Sequence, residues 1–220
     1  PDGDLYLSIG SSCDVCVEND PRRATVMRYN ADGTNGSIFA RGLRNSVGIA
    51  FRPGTEELWG VDNGRNLLGD NEPVEELNHL QQGRDYGWPY CHGDRKPNPE
   101  FNDTERCKGT EPPAWSMAPH IAPLGLAFYS GLQLPPSYQG DAIVGVHGSS
   151  ELAQPQGYNV VRIHFENGRP VRQEDLVRGW LVNGKWWGRP VGVLVANDGS
   201  IIISDDESGR LYRLRYTGAE

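Results

Sequence analysis

The chain has 220 residues, 37% of them hydrophobic, and a net charge of −8 from 21 basic and 29 acidic side chains. Mean hydropathy is −0.58 and no apolar run nears the roughly 20 residues that cross a bilayer, which excludes a helical membrane span. The acidic balance also argues against nucleic acid, whose binding needs a basic field. Glycine (28) and proline (16) together make a fifth of the chain, against a usual sum of about 12%, so many short strands joined by turns are expected instead of long helices. Charged residues are an ordinary 23%, so wholesale disorder is not expected.

Residues 1–10, Pro1-Asp2-Gly3-Asp4-Leu5-Tyr6-Leu7-Ser8-Ile9-Gly10, read as a turn and then a strand. Cys13 and Cys16 follow as a C-x-x-C between Gly10-Ser11-Ser12 and Asp20-Pro21. That spacing serves a redox motif or half a zinc site, but the flanks read as loop. Cys91 and Cys107, the remaining pair, do not have the spacing of a second half-site. Two local disulfides, Cys13–Cys16 and Cys91–Cys107, are the favoured reading, and four reduced loop thiols the alternative. Disulfides imply an oxidising compartment, periplasmic or extracellular. No signal peptide is visible, and Pro1 in a turn sequence is not an initiator, so the true start is expected upstream.

One unit recurs along the chain. Arg44-Asn45-Ser46-Val47-Gly48-Ile49-Ala50-Phe51 leads through Gly54 to Leu58-Trp59-Gly60-Val61-Asp62. Ala122-Pro123-Leu124-Gly125-Leu126-Ala127-Phe128 leads through Gly140 to Ala142-Ile143-Val144-Gly145-Val146-His147. Arg189-Pro190-Val191-Gly192-Val193-Leu194-Val195 leads through Asp198-Gly199 to Ile201-Ile202-Ile203-Ser204-Asp205. Each copy is a short apolar strand, a glycine turn and a second strand ending on a polar residue. Gly48, Gly125 and Gly192 anchor the copies, 77 and 67 residues apart. A third strand with alternating apolar and polar positions is expected at 24–29, 159–165 and 209–216, with turn dipeptides at Asp32-Gly33 and Asn167-Gly168. One helix-like stretch, Pro73–Gln82, carries Leu77 and Leu80 three apart.

Short strands at this period predict an all-β chain of β-propeller blades. A closed ring of six blades needs about 350–450 residues at this period. Residues 1–220 therefore read as a single partial propeller domain, the C-terminal three and a half blades of a larger ring. Such an open ring exposes two apolar blade faces, with poor solubility or association expected.

Propeller ligands lie over the central channel, at the ends of the inner strands. There the repeat carries Arg44 and Asn45, then His120 to Pro123, then Arg189 and Pro190. The second strands end on Asp62-Asn63-Gly64, His147-Gly148-Ser149 and Asp205-Asp206. Matched polar groups in three copies point to a central polar site, although any one of them could simply cap a strand end against water. The run from Asp62 to Glu72 is acidic enough for calcium but fails the helix–loop–helix pattern, because Pro73 stands where a bidentate Glu is required. Backbone carbonyls of the glycine-rich loop could still hold the ion. No G-x-S-x-G, H-E-x-x-H, G-x-x-x-x-G-K or G-x-G-x-x-G occurs, so the corresponding hydrolase, zinc, phosphate and dinucleotide chemistries have no anchor. His164 alternates along a strand and reads as a surface or edge residue; His79 reads as structural. Trp88 reads as loop packing, and Trp186-Trp187, just before Arg189, as a sugar-stacking wall or a lid over a flat cofactor.

These residues resemble a known family. Gly42-Leu43-Arg44-Asn45-x-x-Gly48-Ile49-Ala50-Phe51, Asp62-Asn63-Gly64, Glu76-Leu77-Asn78 and Tyr86-Gly87-Trp88-Pro89 are similar to the glucose/sorbosone dehydrogenases, six-bladed propellers that use pyrroloquinoline quinone (PQQ). Cys13-Asp14-Val15-Cys16, Asp20-Pro21-Arg22-Arg23, Tyr90-Cys91-His92-Gly93-Asp94-Arg95 and His147-Gly148-Ser149 resemble the sorbosone dehydrogenase type. The resemblance implies oxidation of an aldose or sorbosone by hydride transfer to PQQ, and electrons passed to an external acceptor, a cytochrome or a quinone. It implies Ca2+ on the main-chain carbonyls of Gly64 and Arg65. Arg44, the catalytic group, and Asn45 would contact the quinone end, with Arg44 stabilising charge developing on the quinone oxygen. Asn63, His120 and His147 fall at cofactor-contacting positions, and Arg189 matches an arginine that binds a PQQ carboxylate. The family's proton-accepting histidine lies upstream of the strand matching Leu5–Ile9, so no turnover is expected of these 220 residues alone. Val47 stands where some relatives have a glutamine near the sugar. The alternatives are a calcium-dependent lactonase-type propeller, which needs an acidic central cage, and a non-catalytic propeller that only binds partners.

Overall fold

A computed structural model of the chain describes residues 2–150 and 152–218. The residues gather in two compact units, one running to His120 and the other from Ile121, which also takes in the turn Arg52–Gly54. Every large element is an antiparallel strand, and each sheet pairs strands in chain order, one strand joining its sheet only after an intervening ribbon and helix.

The first unit holds two sheets. β1 (Leu5–Ile9), β2 (Thr25–Tyr29) and β3 (Ser37–Arg41) make one; β4 (Gly48–Phe51), β5 (Leu58–Asp62) and β6 (Glu75–Leu80) begin the other. A ribbon of β7 (Cys91–His92) and β8 (Lys96–Pro97) and a single-turn helix α1 (Thr104–Lys108) intervene before β9 (Trp115–Met117) adds to β6. The second unit holds the sheet of β10 (Pro123–Phe128), β11 (Ala142–Val146), β12 (Asn159–Glu166) and β13 (Arg169–Val177). It also holds the ribbon of β14 (Leu181–Val182) and β15 (Lys185–Trp186), and the sheet of β16 (Pro190–Val195), β17 (Ile201–Asp205) and β18 (Arg210–Leu214). Two four-stranded and two three-stranded sheets give fourteen blade strands, the three and a half blades expected of a partial six-bladed propeller.

Side chains between neighbouring sheets form the cores. In the first unit Val26, Leu43, Leu58 and Leu80 pack with Tyr6, Phe39 and Phe51; the Tyr6 ring meets both phenylalanines edge-on at 5.1 Å. In the second, Ile143, Tyr158 and Val160 pack against Trp180, Ile201 and Ile203. The opposite faces of the two three-stranded sheets leave Leu5, Leu7, Leu194 and Leu211 at least half exposed.

The anchoring glycines have a packing cause. Gly125 and Gly145 are cross-strand partners, and a Cβ on either would lie 2.4 or 2.3 Å from the Val191 carbonyl oxygen. β16 bulges there, its register with β17 shifting between Pro190 and Val193, so its main chain rests directly on the glycine pair. Bulges re-aim the residues beside them, and this one begins next to Arg189. β12 and β13 also slip register twice, between Val160 and Val161 and between His164 and Phe165.

Two local expectations are corrected. Pro73–Gln82 is not helical: its core is strand β6, hydrogen-bonded to β5 on one side and β9 on the other. Leu77 and Asn78 are both fully buried, so both faces of the strand are covered and apolar residues need not alternate. Leu77 and Leu80 mimic a helical period only by coincidence. His79 is structural, its ring stacked on Trp59 at 4.8 Å. His164 is no edge residue, because β12 lies between β11 and β13. Its Nε2 meets Glu174 Oε1 at 2.8 Å, and its Nδ1 lies 3.4 Å from Asp141, which also pairs with the buried Arg162.

Both expected disulfides form, Cys13–Cys16 and Cys91–Cys107. Cys91 and Cys107 are buried and tie the β7 ribbon to α1 across a sequence separation of 16. Closing a loop of that size restricts the unfolded chain by about 3 kcal/mol. Replacing both cysteines by serine should therefore lower unfolding stability by about 2–4 kcal/mol, read as a lower denaturant midpoint that reducing agent no longer shifts through this bridge.

Candidate functional site

In the first unit the loop before β4 and the end of β5 are bound together by one carboxylate. Asp62 Oδ2 accepts the Arg44 N–H at 3.0 Å; Oδ1 accepts the Asn45 N–H at 2.9 Å and the Ser46 hydroxyl at 2.7 Å. The Asn45 carbonyl in turn accepts both the backbone N–H and the Nδ2 of Asn63, each at 3.2 Å. Arg44, Asn45 and Asn63 are thus brought together as the sequence predicts, and both Asp62 oxygens are engaged by donors of their loop.

Arg44 is held along one edge of its guanidinium. Nε donates to the Asp14 carbonyl at 3.2 Å and Nη2 to Asp14 Oδ1 at 2.9 Å; Nη1 donates to the Asn63 carbonyl at 3.3 Å. Three of five N–H groups are used. One N–H remains on each terminal nitrogen for a further acceptor.

The second unit repeats the device. Asp205 accepts the Arg189 N–H at 2.9 Å, with Ser208 and Tyr212 completing its shell. Arg189 Nε donates to the His147 carbonyl at 3.1 Å and Nη2 to the Gly148 carbonyl at 2.6 Å. Among the described residues no carboxylate pairs with this guanidinium, and its Nη1 makes no hydrogen bond. The Tyr158 ring lies beneath it at 5.5 Å and stacks on Trp186 at 5.3 Å. Trp186 is therefore part of the wall beside Arg189. Trp187, also half exposed, donates its Nε1 to the Gly179 carbonyl at 2.8 Å. His147 Nε2 pairs with Asp206 Oδ1 at 2.9 Å.

His120 belongs to the first unit. It adopts a left-handed φ of 58°, a strained state for a non-glycine residue, and its Nε2 meets the Gly69 carbonyl at 2.8 Å. That ties it to the loop following Gly64-Arg65, not to Arg44.

The Gly64-Arg65 turn is pressed against the chain: a Cβ on Gly64 would lie 2.6 Å from Pro73 Cγ, and its N–H is taken by Glu75 Oε2 at 2.7 Å. Arg65 is buried and paired with Glu100 at 2.6 Å. Beneath the turn lies a cavity of about 20 Å³ bordered by Asp62, Glu76 and Asn98. The fully buried Asn98 Oδ1 has no hydrogen-bond partner there among the described residues. Asp62, Glu76 and Asn98 bring oxygen atoms to this corner, which they share with the Arg44 and Arg65 side chains.

Like charge shapes the corner as well. Asp62 and Glu76 are cross-strand partners. Burial pushes the Asp62 carboxyl up to about 6 against its three hydrogen bonds. Burial, with the Asp62 charge next, pushes Glu76 up to about 8. Asp205 is the contrast: burial also opposes its charge, but hydrogen bonds from Arg189, Ser208 and Tyr212 outweigh it and bring the carboxyl to about 2. A carboxyl raised in the folded state holds its proton more tightly there. The stability this gives is whole below the unfolded pKa near 4 and is lost as pH rises through about 6 for Asp62 and about 8 for Glu76. In EDTA the first unit should therefore melt higher at pH 5 than at pH 9, and Glu76→Gln should flatten that slope.

Sequence reasoning missed Asp14 as a site residue. The signal available was its place inside the C-x-x-C, which a reading for redox or zinc chemistry passes over.

Comparisons with known proteins identify the family and the fold. A family model described as Glucose / Sorbosone dehydrogenase matches residues 1–213. An uncharacterized protein of Borreliella burgdorferi is 32% identical over 217 residues, covering 96% of this chain and 57% of its own length. The aldose sugar dehydrogenase YliI of Escherichia coli K12 is 32% identical over 195 residues, 83% of this chain and 44% of its own. The chain thus spans about half the length of these relatives. The PQQ domain of a pyranose dehydrogenase from Coprinopsis cinerea, solved in its holo form, shares the fold with a TM-score of 0.77 at 22% identity, covering 97% of this chain and 67% of that one. The chain belongs to the glucose/sorbosone dehydrogenase family.

Proposed function

We propose that the chain contributes to a PQQ-dependent sugar dehydrogenase that oxidises an aldose or sorbosone and passes electrons to an external acceptor, a cytochrome or a quinone. The observation that carries this reading is the same local presentation of an arginine in each unit, Arg44 in the first and Arg189 in the second. Each has its backbone N–H on a buried carboxylate, one guanidinium edge tied down, and further N–H groups left for a ligand. A cofactor bearing a quinone and several carboxylates suits such donors. When bound, PQQ supplies the hydride-accepting quinone. Arg44 would offer N–H groups to charge developing on a quinone oxygen, Asn45 and Asn63 would serve as polar contacts, and Arg189 would take a carboxylate. His120 and His147 are assigned to polar contacts with the cofactor, and Ca2+ to the carbonyls of Gly64 and Arg65.

No helix among the described residues is long and apolar enough to cross a membrane. The two disulfides support a periplasmic or extracellular location. The lactonase alternative draws no support, because Asp62 and Asp205, the carboxylates ending β5 and β17, are consumed by loop donors. Titrating the purified protein with PQQ in the presence of Ca2+ should change the quinone absorbance saturably; an unsaturable or absent change sinks the proposal and leaves the non-catalytic module.

A further inference from the structure

We propose that Asp14, presented by the Cys13–Cys16 loop, is a positioning residue for Arg44, and that the disulfide serves to hold it there. This deepens the cofactor-binding reading above and rests on it.

The contacts of Asp14 span three separate chain segments. Its Oδ1 accepts Arg44 Nη2 at 2.9 Å and the Asn66 N–H at 2.8 Å. Its carbonyl accepts Arg44 Nε and Trp88 Nε1, each at 3.2 Å. Its Oδ2 lies 3.9 Å from Arg65 Nε. One residue therefore ties the catalytic arginine to the residue after the Gly64-Arg65 turn and to the loop carrying Trp88. The strap is reinforced by the Ser11 N–H, which donates to the Arg44 carbonyl at 2.8 Å.

A free aspartate on a loop would lose rotamer and backbone freedom in making these bonds at once. The Cys13–Cys16 bridge closes a loop with a sequence separation of only 3. So small a loop restrains the unfolded chain less than the Cys91–Cys107 bridge does. Its effect is local: the main chain at Asp14, whose carbonyl and carboxylate both serve Arg44, is fixed in place. The ion pair is also partly screened from water, with side-chain exposures of 17% for Arg44 and 30% for Asp14.

The test compares wild type, Asp14→Ala, Asp14→Asn and the Cys13→Ser/Cys16→Ser pair. Two readouts are used. In PQQ titrations Asp14→Ala should weaken affinity about tenfold, as for loss of a charge-assisted bond, the cysteine pair should weaken it in the same direction, and Asp14→Asn, which keeps the acceptor oxygen, should recover most of it. In an Arg44→Ala background the Asp14→Ala change should cost less than about twofold, because the two residues act as one unit. An equal loss in both backgrounds, or none in either, overturns the proposal. The second readout needs no cofactor: the guanidinium N–H resonances of Arg44 should exchange with water faster in Asp14→Ala than in wild type, and unchanged exchange also overturns it. If wild type fails to bind PQQ while Arg44 still loosens, the cofactor reading fails and the positioning role stands.

Discussion

Gly145→Ala should lower the melting temperature of the second unit by about 10 °C or more, equivalent to about 2–3 kcal/mol. The added methyl would sit 2.3 Å from the Val191 carbonyl oxygen and 3.1 Å from its carbon. Both are main-chain atoms, so no rotamer change relieves the clash. Relief requires β16 to lift from β11, which opens the core shared by Ile143, Val160 and Ile203. Gly109→Ala is the matched control: its Cβ would find the nearest atom at an ordinary 3.5 Å, and stability should move by no more than about 0.5 kcal/mol. Calorimetry on the two variants separates the cases. If Gly145→Ala melts with wild type, the close approach of strand to sheet is not what that glycine is for.

Arg189→Lys should weaken PQQ binding by about 30- to 100-fold, the size expected for loss of a charge-assisted planar contact, while leaving the melting temperature within a few degrees. Lysine keeps the charge but cannot span the carbonyls of His147 and Gly148, which now hold Nε and Nη2, nor present a planar pair of donors. Quinone absorbance titrations give the affinity and circular dichroism the fold. Affinity unchanged by the lysine would mean that only charge matters at this position and that the tied guanidinium edge is incidental.

The blade architecture was legible because glycine turns, short apolar strands and polar strand ends recur together, and that consistency constrains a fold more than any single segment does. Strands 25–29, 159–166 and 210–214 appeared where alternation placed them. β6 was misread because a strand covered on both faces loses its period of two. The outer strands β3 and β13 went unnoticed because exposed positions there need not be apolar. At the site, Arg44, Asn45 and Asn63 were legible as a group through their place at the end of the repeat. The role of Asp62 and Asp205 was not, since a terminal aspartate looks the same in sequence whether it binds a ligand or accepts N–H groups from its own loop. Asp14 was hidden for a different reason: its contacts with Arg44, 30 residues away, and with Asn66 and Trp88 exist only once the sheets are packed.

The doubly slipped pairing of β12 with β13 has a further consequence. β13 is the last strand of its sheet, it carries Arg169, Arg172, Glu174 and Asp175, and β18 likewise ends its sheet with Arg210 and Arg213. The kinked, charge-studded β13 offers no straight row of free amides for a foreign strand to zip onto, while β18, in unbroken register with β17, relies on its charges alone. Growth into fibrils by backbone addition is discouraged at both borders, and any self-assembly of the protein falls instead to its greasy leucine faces.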